Sequence, residues 1–134
     1  MPLREGSDHL PLGDETVLLA EDEPSVRGVA AKVLSQLGYT VLEAANGHDA
    51  LRVARDLADE ELHLLLTDVV MPLMGGEELV EQLKVIRPNT KVLFTSGYTD
   101  AIVGPQLTGC GAEAIRKPYG PATLARRVRE VLDM

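Results

Sequence analysis

Cysteine, basic clusters and long apolar runs are scarce in this chain of 134 residues, and each scarcity excludes a class of protein. The one cysteine, Cys110, cannot form an internal disulfide. No apolar run approaches the roughly 20 residues that cross a bilayer and no signal-peptide pattern is present, so we expect a cytoplasmic protein without membrane insertion. Acidic residues outnumber basic ones by 21 to 13, and the net charge is −8. We therefore expect no direct contact with nucleic acid, because phosphate binding requires a basic surface.

Phosphate-cradle sequences and histidine-ligand patterns are missing too. Neither a GxGxxG nor a Walker sequence occurs, so Gly75 and Gly76 are interpreted as a turn and a helix entry. His9, His48 and His63 do not have the spacing of metal ligands. His63 lies inside an apolar run, where a hydrogen-bonded core histidine is expected.

Apolar runs alternate with helical patterns from Thr16 onward. Residues 1–15 carry prolines and glycines without periodicity and are predicted to be a flexible leader or linker, whereas residues 16–134 are predicted to form one domain. The predicted strands are Thr16–Ala20, Thr40–Glu43, Leu62–Thr67, Lys91–Thr95 and Ala112–Arg116. Such alternation predicts an α/β fold, in which a doubly wound, mostly parallel sheet carries helices on both faces.

Helical periodicity is strongest after the first strand, where apolar residues recur at spacings of three and four between Pro24 and Gly38. A second helix is predicted through Leu57, with Asn46 as the residue that caps its start. Further helices are predicted from about Glu77 to Ile86 and onward from Pro121. Between the fourth and fifth strands, Asp100–Leu107 contains a glycine and a proline, which predicts a short, distorted or mobile helix.

Acidic residues follow two of the predicted strands. Glu21, Asp22 and Glu23 come after the first, and Asp68 comes after the third, just before a loop rich in proline and glycine. Because the carboxyl ends of parallel strands share one edge, Glu21, Asp22 and Asp68 are expected to converge if these strands are neighbours. Their repulsion requires a cation, and oxygen ligands without histidine or cysteine favour Mg²⁺. Glu23 is expected to face solvent.

A hydroxyl and an ammonium group follow the fourth and fifth strands. Ser96 and Lys117 are expected at the same edge as the acids, whereas Thr95 should point the other way because strand side chains alternate. Acids, a metal ion, a hydroxyl and a lysine together are typical of a phosphoryl-transfer site, with Asp68 as its central residue.

These residues stand in ordered motifs through which the chain, over roughly Thr16 to Met134, resembles a receiver domain, the phospho-accepting module of response regulators in two-component signalling. The motifs are Leu19-Ala20-Glu21-Asp22-Glu23-Pro24, Thr67-Asp68-Val69-Val70-Met71-Pro72 with Gly76, Ser96-Gly97 and Lys117-Pro118. The stretch over residues 94–100 is similar to the C-terminal receivers of hybrid sensor histidine kinases. The chain is then either a piece of such a kinase, which can be membrane-bound, or a freestanding regulator.

The resemblance implies a flavodoxin-like fold with strand order 2-1-3-4-5. It implies that Asp68 takes a phosphoryl group from a phosphohistidine on a histidine kinase or histidine phosphotransfer domain, and that a downstream protein target responds. The domain would be a signalling module that catalyses only its own phosphorylation and dephosphorylation. Ser96 would bind a phosphoryl oxygen, and Lys117 would pair with Asp68 or its phosphate. The implied Mg²⁺ ligands are Glu21, Asp22, Asp68 and the backbone carbonyl of Val70.

Two positions depart from the family pattern. Receivers usually carry an aromatic residue three positions before the conserved lysine, and here that residue is Ala114, with Tyr98 and Tyr119 as nearby replacements. We hypothesise that residues 96–107 change order on phosphorylation instead. Val70 and Tyr98 would flank the phosphoryl group without orienting an attacking water, which predicts slow hydrolysis that Val70→Asn with Tyr98→Glu would accelerate.

Two other functions compete with this interpretation. Haloacid-dehalogenase-like phosphatases also use a strand-end aspartate with Mg²⁺, but they place a second aspartate two residues later, where this chain has Val70. A pseudo-receiver that binds partners without phosphorylation would be expected to lack Asp68, Asp22 or Lys117, and all three are present.

Overall fold

The computed structural model describes residues 10–96 and 113–134. Their strands form one parallel sheet in the order β2-β1-β3-β4-β5. The strands are β1 (Thr16–Ala20), β2 (Thr40–Ala44), β3 (Leu64–Asp68), β4 (Lys91–Ser96) and β5 (Glu113–Arg116). This order is the flavodoxin-like one that the family resemblance implied, and it agrees with the predicted alternation of strands and helices. The third strand begins two residues later than predicted and ends on Asp68 itself, which pairs with Thr95 of β4.

Four helices are present in the described part of the chain. They are α1 (Pro24–Gln36), α2 (Gly47–Asp56), α3 (Gly76–Ile86) and α4 (Pro121–Leu132). Proline occupies the first turn of both α1 and α4, where its missing N–H is not needed. The Asn46 side chain caps α2 by accepting a hydrogen bond from the Asp49 N–H at 2.8 Å, as predicted. The four helices predicted over these ranges are therefore confirmed.

The core consists of two apolar layers, one on each face of the sheet. Buried residues of α1 and α4 pack on one face, and those of α2 and α3 pack on the other. Every residue of β3 is buried, as expected for the central strand of a sheet covered on both faces. This double cover holds the strand that carries Asp68 in a fixed position.

The last part of the predicted leader lies against the domain. Leu10 is 7% exposed and belongs to the core layer beneath α1 and α4. The Gly13 N–H donates to the Leu37 carbonyl at 3.1 Å, and Arg129 of α4 pairs with Glu15. Side-chain spacing within residues 1–15 contains no signal for these contacts, because their partners lie up to 117 residues away in the sequence.

Several sequence predictions fall outside the described residues. They concern His9, Tyr98, Cys110 and the weak helix Asp100–Leu107, together with the first residue of the predicted fifth strand. The proposed change of order over residues 96–107 falls there as well, apart from Ser96. Within the described ranges, no helix combines the length and the apolar character needed to cross a membrane.

Candidate functional site

Asp68 lies at the carboxyl end of β3, in the middle of the sheet, and is 6% exposed. The chain that follows it is tied down at once. The Val69 N–H donates to the Thr95 carbonyl at 3.0 Å, and the Gly76 N–H donates to the Val69 carbonyl at 2.8 Å. The loop between β3 and α3 is anchored further by Met71 and Met74, which are both buried. Asp68 is thus held by backbone contacts on both sides of its strand end.

Gly76, the first residue of α3, allows this close approach. A Cβ atom at this position would lie 2.3 Å from the Asp68 carbonyl oxygen and 3.0 Å from the Phe94 ring. A Cβ atom cannot approach a backbone oxygen this closely, so the backbone beneath Asp68 would have to move. The sequence predicted a helix entry at Gly76, and the structure adds that the glycine supports the site.

We expect Gly76→Ala and Gly28→Ala to change stability in opposite directions. Overpacking against backbone at Gly76 should lower the free energy of unfolding by about 1–3 kcal/mol. Gly28 lies within α1 with nothing within 4 Å of its virtual Cβ, so alanine there should raise stability by about 0.5–1 kcal/mol. Urea unfolding of both variants measures the difference, and equal stabilities would contradict the steric explanation.

The acidic loop after β1 brings two carboxylates to the same edge. The Glu21 N–H donates to the Ala44 carbonyl at 3.0 Å, and the Glu23 N–H donates to Glu21 Oε2 at 3.1 Å. Glu21 is 2% exposed, whereas Asp22 and Glu23 face solvent. Since β1 and β3 are neighbours, ligand oxygens of Glu21, Asp22 and Asp68 lie within 4.8 Å of one another. The structure therefore brings the three acids together as predicted.

Lys117 joins two of these acids from the end of β5. Its Nζ donates to Glu21 Oε1 at 2.8 Å and to Asp68 Oδ2 at 3.0 Å. Its backbone N–H donates to the Ser96 carbonyl at 2.7 Å, and the Lys117–Pro118 peptide bond is cis. The resemblance implied that Lys117 pairs with Asp68 or its phosphate, and the contact with Asp68 is present. The bond from Lys117 to Glu21 was not predicted.

Burial dominates the electrostatics of the two inner carboxylates. Desolvation raises the pKa of Glu21 and of Asp68, although the hydrogen bonds from Lys117 oppose this. Desolvation by itself would lower the pKa of Lys117, but its hydrogen bonds to Glu21 and Asp68 outweigh it and the pKa is raised. The cluster thus holds more acid than one ammonium group neutralises.

The raised pKa of Asp68 predicts a pH-dependent stability in metal-free solution. A carboxyl group whose pKa is higher in the folded state favours folding while protonated, and this contribution is lost as the pH rises from the unfolded pKa through the folded pKa. The Asp68→Asn variant lacks this titrating carboxyl group and therefore lacks its pH-dependent contribution to stability. The free energy of unfolding of the variant should therefore increase relative to that of the wild type as the pH rises from about 4 towards neutrality. Urea unfolding in EDTA across this range measures it; a constant difference would contradict the burial effect.

The donor set suits a hard divalent cation. Three carboxylates converge, and neither histidine nor cysteine lies among them. Ions such as Mg²⁺ prefer oxygen ligands and retain several waters, which the exposure of Asp22 would allow. The acidic cluster could therefore hold a metal ion.

The structure also gives the positions of three other residues that the sequence analysis singled out. Ser96 ends β4 and pairs with Arg116, so it lies at the same edge as Asp68, and it is less buried than Thr95, in agreement with alternation. Val70 is 57% exposed, and its N–H lies 3.4 Å from Asp68 Oδ1. Ala114, which replaces the usual aromatic residue, is exposed on β5.

Three further side chains bear on the sequence predictions. Tyr119 packs against the core layer of α1 and α4, and burial raises its pKa. His63 Nδ1 accepts a hydrogen bond from the Thr16 N–H at 2.9 Å, as predicted, but its side chain is 31% exposed and it precedes β3, so it is not a core residue. Arg27 of α1 contacts the backbone of the acidic loop and was missed, because a single arginine on a helix carries no signal of its partner.

Comparison with known proteins identifies the family. Residues 17–129 match the model of the response regulator receiver domain. The chain is 38% identical over 122 residues to the sensor kinase CckA of Brucella abortus, covering 90% of this chain and 13% of that protein. It is 33% identical over 117 residues to the response regulator receiver protein CpdR of the same species, covering 87% of this chain and 95% of that protein.

Solved structures agree with this assignment. A crystal structure of the receiver domain from the hybrid histidine kinase CckA superposes with a TM-score of 0.73 at 35% identity, covering 87% of this chain and 98% of that one. A CheY-like receiver domain protein from Methanospirillum hungatei superposes with a TM-score of 0.79 at 29% identity, covering 90% and 95%. The chain belongs to the response regulator receiver domain family, a signalling domain of two-component systems.

Proposed function

We propose that Asp68 accepts a phosphoryl group from a phosphohistidine, carried by a histidine kinase or a histidine phosphotransfer domain, in a reaction that depends on Mg²⁺. The observation that carries this proposal is the position of Asp68, at the end of the central strand, 3.0 Å from Lys117 Nζ and within 4.8 Å of the ligand oxygens of Glu21 and Asp22. A cation and a metal-binding pair of acids around one carboxylate are what transfer to an aspartate requires.

The transfer exchanges one bond to phosphorus for another. A carboxylate oxygen of Asp68 bonds to phosphorus while the phosphorus–nitrogen bond of phosphohistidine breaks, and the imidazole leaves with that electron pair. The product is an acyl phosphate on Asp68. Oδ2 accepts a hydrogen bond from Lys117 Nζ at 3.0 Å, whereas within residues 10–96 and 113–134 Oδ1 has only a long contact of 3.4 Å with the Val70 N–H. We therefore assign the attack to Oδ1.

Charge neutralisation is the main contribution of the surrounding residues. Lys117 holds the Asp68 carboxylate in place and offsets the negative charge that accumulates as the phosphoryl group arrives. Glu21, Asp22, Asp68 and the Val70 carbonyl would hold Mg²⁺, which when bound screens the phosphoryl oxygens from the acids. Ser96 would donate its hydroxyl hydrogen to a phosphoryl oxygen.

We expect the acyl phosphate on Asp68 to hydrolyse slowly, so the phosphorylated form should be long-lived. Val70 is exposed next to the site and carries no polar group that could orient water. A downstream protein would then read a persistent state. The chain spans 13% of the CckA sensor kinase and 95% of CpdR. The proposed reaction at Asp68 is the same whether this chain is part of a hybrid kinase or a freestanding regulator.

Acetyl phosphate tests the proposal without a partner protein. In the presence of MgCl₂, we expect intact-mass spectrometry to detect one added phosphoryl group, and peptide mapping to place it on Asp68. EDTA should prevent the addition. Modification of a different residue would overturn the proposal, and so would a complete absence of modification, which favours the pseudo-receiver. Continued turnover of a generic phosphate ester would instead favour the phosphatase.

A further inference from the structure

Arg27 of α1 bonds to the backbone of the acidic loop, residues 21–23, and is not itself a member of the carboxylate cluster. Its Nη1 donates to the Glu21 carbonyl oxygen at 2.8 Å. Its Nε lies 3.3 Å from Glu43 Oε1 on the edge strand β2. The side chain of Arg27 is 21% exposed, whereas that of Glu43 is 48% exposed, so the bond to the Glu21 carbonyl is better shielded from water than the ion pair with Glu43. One guanidinium group therefore joins α1, the acidic loop and β2.

The peptide units around Glu21 are held from several directions. The Glu21 N–H is bonded to the Ala44 carbonyl of β2, and the Glu21 C=O is bonded to Arg27. The Glu21 carboxylate in turn receives the Glu23 N–H. The carbonyl that Arg27 holds belongs to the peptide bond between Glu21 and Asp22, so this contact orients the backbone from which the exposed Asp22 side chain projects.

The three acids need such support, because they repel one another. Ligand oxygens of Glu21, Asp22 and Asp68 converge within 4.8 Å. Of these three acids, Lys117 Nζ donates to Glu21 and Asp68 but not to Asp22. Within residues 10–96 and 113–134, the Asp22 carboxylate makes no hydrogen bond to another side chain, so the backbone geometry sets its position. Outer contacts that orient metal ligands typically change metal affinity by about 10–100-fold when they are lost.

We infer that Arg27 is a positioning residue for the divalent cation, one that sets Mg²⁺ affinity by fixing the Glu21–Asp22 peptide without contacting the ion. This inference rests on the proposed function, since it assumes that the acidic cluster binds Mg²⁺. The inference predicts that loss of Arg27 changes Mg²⁺ affinity in the direction opposite to the one its charge alone would give. Removing a positive charge near a cation site should by Coulomb's law strengthen Mg²⁺ binding, whereas releasing the loop should weaken it.

Calorimetric titration of the metal-free protein with MgCl₂ tests the inference. We expect Arg27→Met to weaken Mg²⁺ binding by about 10-fold or more. Arg27→Lys keeps the charge but replaces the planar guanidinium fork with a single ammonium group, so its affinity should fall between wild type and Arg27→Met. Arg52→Met is the matched control, because Arg52 of α2 pairs with Asp49 and Asp56 and its loss removes the same charge. We expect this control to bind Mg²⁺ at least as tightly as the wild type.

The outcomes separate this inference from the proposed function. Unchanged or tighter Mg²⁺ binding by Arg27→Met would overturn the positioning role of Arg27. It would not contradict the proposed phosphorylation of Asp68 in the wild type. Thermal unfolding in EDTA identifies a variant that has lost its fold; in that case Arg27→Lys decides, and unchanged affinity in it overturns the inference. Failure of the wild type to bind Mg²⁺ would instead overturn the proposed function, on which the inference depends.

Discussion

Asparagine in place of Asp68 is expected to abolish phosphorylation by acetyl phosphate. The amide has almost the same shape as the carboxylate and can still accept the hydrogen bond from Lys117, so the fold should persist. It lacks the anionic oxygen that attacks phosphorus, and no acyl phosphate can form. Intact-mass spectrometry of wild type and Asp68→Asn, treated side by side with MgCl₂ and acetyl phosphate, measures the loss.

Glu23→Gln is the control for this experiment. Glu23 lies two residues from Glu21, its side chain is exposed, and its loss removes the same single charge. The Glu23 backbone N–H that bonds to Glu21 remains. This variant should be labelled like the wild type. Equal labelling of Asp68→Asn would mean that another residue accepts the phosphoryl group.

Replacing Lys117 by methionine is expected to slow phosphorylation and to destabilise the metal-free fold. Methionine fills a similar volume but leaves the buried carboxylates of Glu21 and Asp68 without their shared cation. Breaking a buried ion pair on one side costs about 3–5 kcal/mol, and proton uptake by the two acids should relieve part of this at low pH. Losing one charge-stabilising donor should slow labelling by about 10²–10³-fold.

Urea unfolding in EDTA and the rate of labelling measure these two effects. Lys84→Met, which removes an exposed lysine from α3, should change neither. A Lys117→Met protein as stable as the wild type in EDTA would show that the ion pairs contribute nothing to folding. A labelling rate close to that of the wild type would remove Lys117 from the proposed chemistry.

Much of the architecture was predictable because it is encoded locally. The 3.6-residue spacing of apolar side chains between Pro24 and Gly38 allows one amphipathic helix, and Asn46 is suited to cap the next. Alternation of strands and helices allows few topologies, and the observed strand order is the one implied by the resemblance. The boundaries moved by one or two residues, since strand ends depend on pairing with neighbours rather than on composition.

The residues of the site could be predicted from the sequence, but the hydrogen bonds between them could not. Parallel strands end at one edge, so the motifs around Glu21, Asp68 and Lys117 were expected at that edge, and the observed strand order brings them together there. That Lys117 would bridge Glu21 as well as Asp68 requires side-chain lengths and angles in three dimensions. The burial of Leu10 likewise depends on a surface formed by α1 and α4 together.

The amino-acid sequence by itself determined the family, the order of elements and the identity of the acidic cluster, because each depends on neighbouring residues and on the directional rules of a parallel sheet. Only the tertiary structure decided which groups are bonded, how deeply the acids are buried and that Arg27 holds the Glu21 carbonyl. The physical reason is distance: Lys117 and Glu21 are 96 residues apart in the chain and 2.8 Å apart in space. A hydrogen bond is set by tenths of an ångström, and a local sequence pattern does not reach that scale.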